Sequence, residues 1–212
     1  FGKAAAQQSL YWVEAYDNSH GVFWRDVTLS TDRQSKIPAI LTTVGFPAGD
    51  VQPVPSSGNG EGCTGRVQLD KIAERVGAKV CINGAPFNMD TGACIGWLMT
   101  NGTIYSQPGS ENDVYPTFAI TKDGRLGFGN ISPSTADKEG VVQAISGFQN
   151  NALLVENKVP VESDNTLVAP RTAIGVDDIG QLLFLTIDGA EARNLGMTIS
   201  ELAIAFAELG AV

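Results

Sequence analysis

The chain has 212 residues, enough for one sizeable core, and its 43% hydrophobic and 17% charged residues belong to a globular protein rather than a disordered one. Its 14 basic and 23 acidic residues give a formal net charge of −9, which disfavours nucleic acid and anionic membrane surfaces as partners. No apolar run approaches the roughly 20 residues of a membrane span, and no metal-ligand spacing or Cys-x-x-Cys is present, so neither a metal nor a cofactor is expected.

The chain opens at FGKAAAQQ without Met and stops at LGAV, and it reads as a piece of a longer product. Alternating strand patterns follow at 10–16, 22–30 and 39–46. The stretch 47–63, rich in Pro, Gly and Ser, reads as a long loop, and a loop of that length is usually functional. A helix is predicted from Arg66 to Val76, with Leu69, Ile72, Ala73 and Val76 on one face and Gly77 as its stop. A strand is predicted over 78–83, ending at the turn-rich corner NGAPFNMDTGAC.

Hairpin turns are predicted at Asn101-Gly102, at Asp123-Gly124 and between Asp178 and Gly180, with further strands at 141–147 and 152–160. The last element, MTISELAIAFAELG, is a helix with Thr198 and Glu201 in capping-box spacing and Gly210 placed to end it. The expected fold is α+β: a single domain of mixed, largely antiparallel sheet, with long hairpins and two packed helices.

Few polar residues stand where chemistry could use them. Asn83 ends a strand pattern and precedes Gly84; it is either a turn residue or a neutral donor and acceptor aimed into a pocket. Arg171, in VAPRTAIGV, is either a surface residue or the planar cation that an acidic protein needs to hold a phosphate, with Thr172 as a second donor. Asp188 closes the apolar run LLFLTI and precedes Gly189; it is either a turn residue or a carboxylate for acid–base work. Glu191 reads as its solvated neighbour, and His20 as a loop residue. Asn101 and Asn130 head glycosylation sequons, and with Cys63, Cys81 and Cys94 they favour a secretory compartment.

Three of these segments, VCINGAPFNMDTGACIGWLMTNGTIY, PRTAIGVDDIGQLLFLTIDG and GMTISELAIAFAELGA, occur in the order and spacing of the phosphodiester glycosidases. The chain resembles that family over roughly residues 63–212, as a phosphodiester glycosidase-like domain over 1–212. The resemblance implies a hydrolase that releases an N-acetylglucosamine-like sugar from a sugar-1-phosphodiester on a phosphorylated glycan and leaves a phosphomonoester. It assigns Arg171 to the phosphate, Asp188 to acid–base or nucleophilic work, and Asn83 to a sugar hydroxyl or phosphate oxygen, with Gly84, Thr172 and Gly189 around the substrate. Glycosidases normally use two carboxylates, and only one has a candidate here.

The resemblance also implies a Cys63–Cys94 disulfide and a secreted or endomembrane (Golgi, lysosomal or extracellular) protein. Two departures stand out. Ala85 and Pro86 replace a family Gly and Phe, and a later family block, Asp-Gly-Gly-Gly-Ser, does not occur before Val212. The domain is therefore expected to be incomplete at its C-terminal end, with the remainder or a second chain of one precursor supplying that block and a partner for Cys81. The departures leave a second reading, a non-catalytic glycan-binding or assembly module that keeps the fold; the retained Asn83, Arg171 and Asp188 favour the enzyme.

Overall fold

The computed structural model of the chain describes residues 11–13, 21–45, 51–56, 63, 65–113, 115–147, 153–190 and 195–212. Most of the 47–63 loop, His20 and Glu191 lie outside them.

Two antiparallel sheets carry the fold. The first has four strands in the order β11 (Arg171–Val176), β12 (Leu182–Ile187), β3 (Ile37–Val44) and β2 (Val22–Leu29). The second has six, in the order β1 (Tyr11–Val13), β7 (Leu126–Asn130), β6 (Pro116–Thr121), β8 (Val141–Ser146), β4 (Leu98–Thr100) and β5 (Thr103–Ser106). A short hairpin of β9 (Val155–Glu156) and β10 (Val159–Pro160) lies outside both sheets, with Val155 packed into the main core. Three helices accompany the described strands: α1 (Leu69–Val76), α2 (Pro133–Glu139) and α3 (Ile199–Glu208). The α+β expectation is borne out, and every described strand ladder is antiparallel.

Strand alternation sorts the apolar residues into layers. On one face of the four-stranded sheet, Leu41, Ala173, Leu183, Leu185 and Ile187 meet Leu202, Ala205 and Phe206 of α3. Gly175 lets this contact close: a Cβ there would stand 2.7 Å from the Phe206 ring. On the opposite face, Val44, Val176 and Leu182 meet Phe118, Ile120 and Leu126 of the six-stranded sheet. The far face of that sheet packs Trp97, Met99, Ala119, Val141 and Ala144 with Ile131 and with Ala136 of α2. Trp97 satisfies its indole N–H on the Ile131 carbonyl at 2.7 Å, as a buried Trp must.

Helix α3 has the expected start. The Thr198 hydroxyl accepts from the Glu201 N–H, and the Glu201 carboxylate accepts from the Thr198 N–H at 2.8 Å. The same carboxylate receives Arg33, from the β2–β3 loop, in a two-pronged ion pair. Burial alone would raise the Glu201 carboxyl, but the hydrogen bonds from Arg33 and Thr198 outweigh it and hold the group below its ordinary value.

The structure keeps one predicted turn and departs from expectation elsewhere. The hairpin at Asn101-Gly102 has both residues at positive φ, 49° and 77°, as a type I′ turn requires. The other two turns are three-residue loops in which only the last residue, Gly124 or Gly180, has positive φ. Residues 152–160 contain a hairpin rather than one strand, because Asn157 and Lys158 turn at φ 53° and 68°.

The stretch 78–83 forms no ladder and is not a strand, although its composition suits one. Helix α1 starts at Leu69, and of its predicted apolar face only Ile72 is buried, while Leu69 and Val76 face solvent. Helix α2 was not anticipated; Ser132 caps it, Pro133 opens it and Gly140 closes it in the left-handed region. No helix of the described residues is long and apolar enough to cross a membrane.

Candidate active site

The turn-rich corner is a small hairpin held from outside. Asn88 N–H donates to Ala93 O at 2.7 Å, Ile95 N–H donates to Pro86 O at 3.0 Å, and Phe87 pairs with Cys94 between them. The Asn88 side chain organises the tip by accepting the N–H groups of Asp90 and Thr91 at 2.9 and 3.0 Å. Cys94 is bonded to Cys63 with a Cα–Cα distance of 5.2 Å, the pairing that the family resemblance implied. Gly92, at φ 75°, lies against the backbone of Gly65, where a Cβ would stand 2.7 Å from its nitrogen. Ala85 is not in the left-handed region, so its Cβ brings no backbone strain. Cys81 is a half-buried free thiol, pushed above its ordinary value by burial.

Just before that hairpin, the chain passes between the two sheets. Gly84 presses on β8 so closely that a Cβ would stand 2.3 Å from Ile145 Cδ1. On the other side Asn83 Oδ1 accepts the Thr172 hydroxyl of β11 at 2.6 Å. That bond joins residues 89 positions apart and brings the first family block onto the second. Register then sets Thr172 opposite Thr186 of β12, and Asp188 lies two residues past Thr186 on the same face. Asp188 is exposed, with its carboxylate open to solvent. Its N–H donates to Pro38 O at 3.0 Å and its Oδ1 accepts the Gly189 N–H at 2.8 Å, which fixes the carboxylate at the sheet's end.

Arg171 leaves β11 on the opposite face from Thr172, as neighbouring strand residues do. Its guanidinium donates to the carbonyls of Met197, at 3.0 Å, and Leu167, tying together the loops that flank the site. Its register partner is Ile187, so Arg171 and Asp188 spring from adjacent backbone positions even though their side chains diverge. Gly189 has a packing reason of its own: a Cβ there would stand 2.5 Å from Leu195 O.

Of the residues singled out in the sequence, Asn83 and Thr172 are thus in contact, Asp188 shares their face, and Gly84 and Gly189 allow the close approaches around them. Thr186 was missed; β12's alternation with Asp188 was the signal for it.

The two sequons differ. Asn101 tips an exposed hairpin and accepts Gln143 Nε2 at 2.7 Å. Asn130 ends β7, with Ile131 fully buried behind it and the Ser132 hydroxyl engaged as the cap of α2. Among the described residues, no three His, Cys, Asp or Glu side chains gather in a way that could hold a metal ion.

Residues 76–212 match the sequence model of a family described as phosphodiester glycosidase. Curated relatives include the N-acetylglucosamine-1-phosphodiester alpha-N-acetylglucosaminidase of Bos taurus, 28% identical over 186 residues, covering 79% of this chain and 34% of the relative. The Homo sapiens protein of the same name is 28% identical over 161 residues, covering 67% and 31%. The chain spans about a third of the length of these relatives.

Among solved structures, the zebrafish N-acetylglucosamine-1-phosphodiester alpha-N-acetylglucosaminidase catalytic domain, auto-inhibited by its pro-peptide, matches with a TM-score of 0.79 at 20% identity, covering 96% of this chain and 73% of that one. A hypothetical protein from Synechocystis matches with a TM-score of 0.66 at 15% identity, covering 91% and 55%. At these identities the structural likeness establishes the fold.

Proposed function

Because the chain belongs to the phosphodiester glycosidase family, we propose that it is a hydrolase that cleaves a sugar-1-phosphodiester, releasing the sugar and leaving a phosphomonoester. The observation that carries this reading is the Asn83–Thr172 hydrogen bond, which sets two separated family blocks side by side on the sheet face that ends in Asp188.

The reaction breaks the bond between the anomeric carbon and the phosphate oxygen. Water supplies the hydroxyl of the freed sugar, and the phosphate departs with the bonding electrons. A phosphomonoester has a second pKa of about 6, so it leaves without being protonated by an acid. That removes the need for one of the two carboxylates of ordinary glycoside cleavage. The remaining task suits one exposed carboxylate: Asp188 attacks the anomeric carbon or takes a proton from the attacking water. Asn83, its amide held by Thr172, orients a sugar hydroxyl or phosphate oxygen. Arg171, on the other face of β11, acts from behind by holding the loops at Met197 and Leu167 that flank Asp188.

The substrate is a phosphorylated glycan bearing an N-acetylglucosamine-like sugar. The Cys63–Cys94 bond supports a secreted or endomembrane setting, and a further chain of the same precursor would join through Cys81, which a non-reducing gel reads directly. The test of activity is to give the complete protein the methyl diester of N-acetylglucosamine-1-phosphate and measure free sugar. Release is expected, with a loss of about a hundredfold or more in Asp188→Asn. The anomer first released reports retention or inversion. If the complete protein frees no sugar, the chain is a glycan-binding or assembly module instead.

A further inference from the structure

The β4–β5 hairpin grips its first turn residue in a way that aims one atom outward. Asn101 N–H donates to Gln143 Oε1 at 3.1 Å, and Gln143 Nε2 donates to Asn101 Oδ1 at 2.7 Å. Beside them, Gly102 N–H donates to the Val142 carbonyl at 2.8 Å. Gln143 belongs to β8 and is only 4% exposed, so this clamp is rooted in the core. It also fixes which way each amide points. A backbone N–H only donates, so the Gln143 atom that meets it is the oxygen. The other Gln143 atom is then the NH2 group, and the Asn101 atom that receives it is again the oxygen. Asn101 Nδ2 is left on the side away from Gln143, at an exposed turn, with no hydrogen bond among the described residues.

Asn101-Gly102-Thr103 is a sequon with all three residues exposed. Asn130-Ile131-Ser132 contrasts with it at each position. Asn130 is half-buried at the end of β7, Ile131 is fully buried, and the Ser132 hydroxyl accepts the Thr135 N–H as the cap of α2. Pro133 follows at once and restricts the backbone there.

We propose that Asn101 carries an N-linked glycan, that Asn130 does not, and that the glycan stands over the open edge of the six-stranded sheet. The proposal needs the secretory setting given above but not the phosphodiester chemistry. The donor is an oligosaccharide linked to a lipid pyrophosphate. Asn101 Nδ2 attacks the anomeric carbon of its first sugar. A C–N bond forms, the C–O bond to the pyrophosphate breaks, and the pyrophosphate leaves with the bonding electrons. Nδ2 gives up one proton to a base of the transferring enzyme. The product keeps Oδ1 and one N–H, so the bond from Gln143 survives and holds the glycan stem outward.

The strand beside the turn has reason to be covered. Strand β5 pairs with β4 on one side, and no described strand pairs with its other side. Ile104, just past the turn, is 51% exposed. The strand reads TIYS and has none of the Lys, Pro or other charged residues that keep an open edge from pairing with another chain. A bulky, solvated glycan at its turn supplies that protection instead.

The experiment uses the complete protein made in a eukaryotic secretory host. Its peptides are treated with peptide-N-glycosidase in heavy-oxygen water, which leaves a labelled Asp wherever a glycan stood. Label is expected at 101 and not at 130. Thr103→Ala leaves the Asn101–Gln143 clamp in place and should abolish the label, and Thr103→Ser should restore most of it. The mass of Thr103→Ala by light scattering should rise with concentration, and that of Thr103→Ser should return to the wild-type value.

The Cys63–Cys94 bond, read in the same peptide map, reports passage through an oxidising compartment. An unlabelled Asn101 in a chain that has the bond overturns the proposal, and so does equal label at 130. An unchanged mass in Thr103→Ala overturns the role given to the glycan. If neither bond nor label forms, the secretory setting fails and the proposal falls with it, while sugar release still judges the enzyme separately.

Discussion

The β11–β12–α3 unit and the corner around Cys63 and Cys94 hold their shapes by different means. In the first, a six-residue ladder brings Leu183, Leu185 and Ile187 under α3, and none of the three is more than 2% exposed. In the second, Leu69, Val76, Phe87 and Met89 remain exposed, and the chain is held by one disulfide, an Asn88 turn, glycine contacts and a few polar clamps. Among the clamps, Arg75 donates to the carbonyls of Pro55 and Ser56 at 2.8 and 3.1 Å, and Arg66 lies over the Phe87 ring. Burial stabilises the first region, and covalent and polar restraints stabilise the second. Since Thr172 belongs to one and Asn83 to the other, the candidate site is only as well formed as the weaker region.

The largest break should come from the buried side. Phe206→Ala removes a ring that is 2% exposed between α3 and the sheet, and should cost about 3–5 kcal/mol of global stability in a urea titration. Opening the crosslink should divide the two regions instead. Cys94→Ser forfeits roughly 3–4 kcal/mol in the loop-entropy account of disulfides, a mechanism that is disputed. Amide exchange should quicken over 84–97 while β11 and β12 keep their protection, and sugar release should fall with the corner. Equal loss of protection in both would mean that the molecule opens as one unit.

The smallest effect concerns acid. Glu201 is held below its ordinary value in the fold, so its contribution is present above the unfolded carboxyl value of about 4.3 and is lost as pH falls through the folded value. Glu201→Gln should cost about 1–2 kcal/mol at neutral pH and flatten that part of the acid profile, measured by urea midpoints between pH 7 and pH 2.

The legibility of these regions in the sequence was as uneven as their construction. Turns that need a particular backbone declared themselves: Asn101-Gly102 and the capping box at Thr198 and Glu201 are local chemistry. Pairing is not local. Residues 78–83 have the composition of a strand, but a strand exists only where a neighbour offers its edge, and here the chain instead wedges Gly84 against Ile145 and hangs Asn83 on Thr172. Helix α2 carried a cap, a first-turn proline and a terminal glycine, yet PSTADKE is short and polar, without the apolar period that marks a helix.

The family blocks named Arg171 and Thr172 together, but adjacent strand residues point to opposite faces. Only the four-stranded sheet shows that the one clamps flanking loops while the other meets Asn83. Trp24 and Asp26, two places apart, were read as strand pattern alone, because nothing local tells which face a second sheet will leave uncovered.

The four-stranded sheet also sets a timetable for folding. Its middle pairing joins β3 to β12, so that residues as distant in sequence as Leu41 and Leu185 lie side by side. On a ribosome the β2–β3 hairpin emerges well before β12 and must wait, with Phe23 and Trp24 in solvent, until that strand has been made. Contacts so distant in sequence are slow to close. During that wait the hairpin edge is open to pairing with other chains. Strand β3, at the centre of the finished sheet, is thus the one whose second edge must wait longest for its partner.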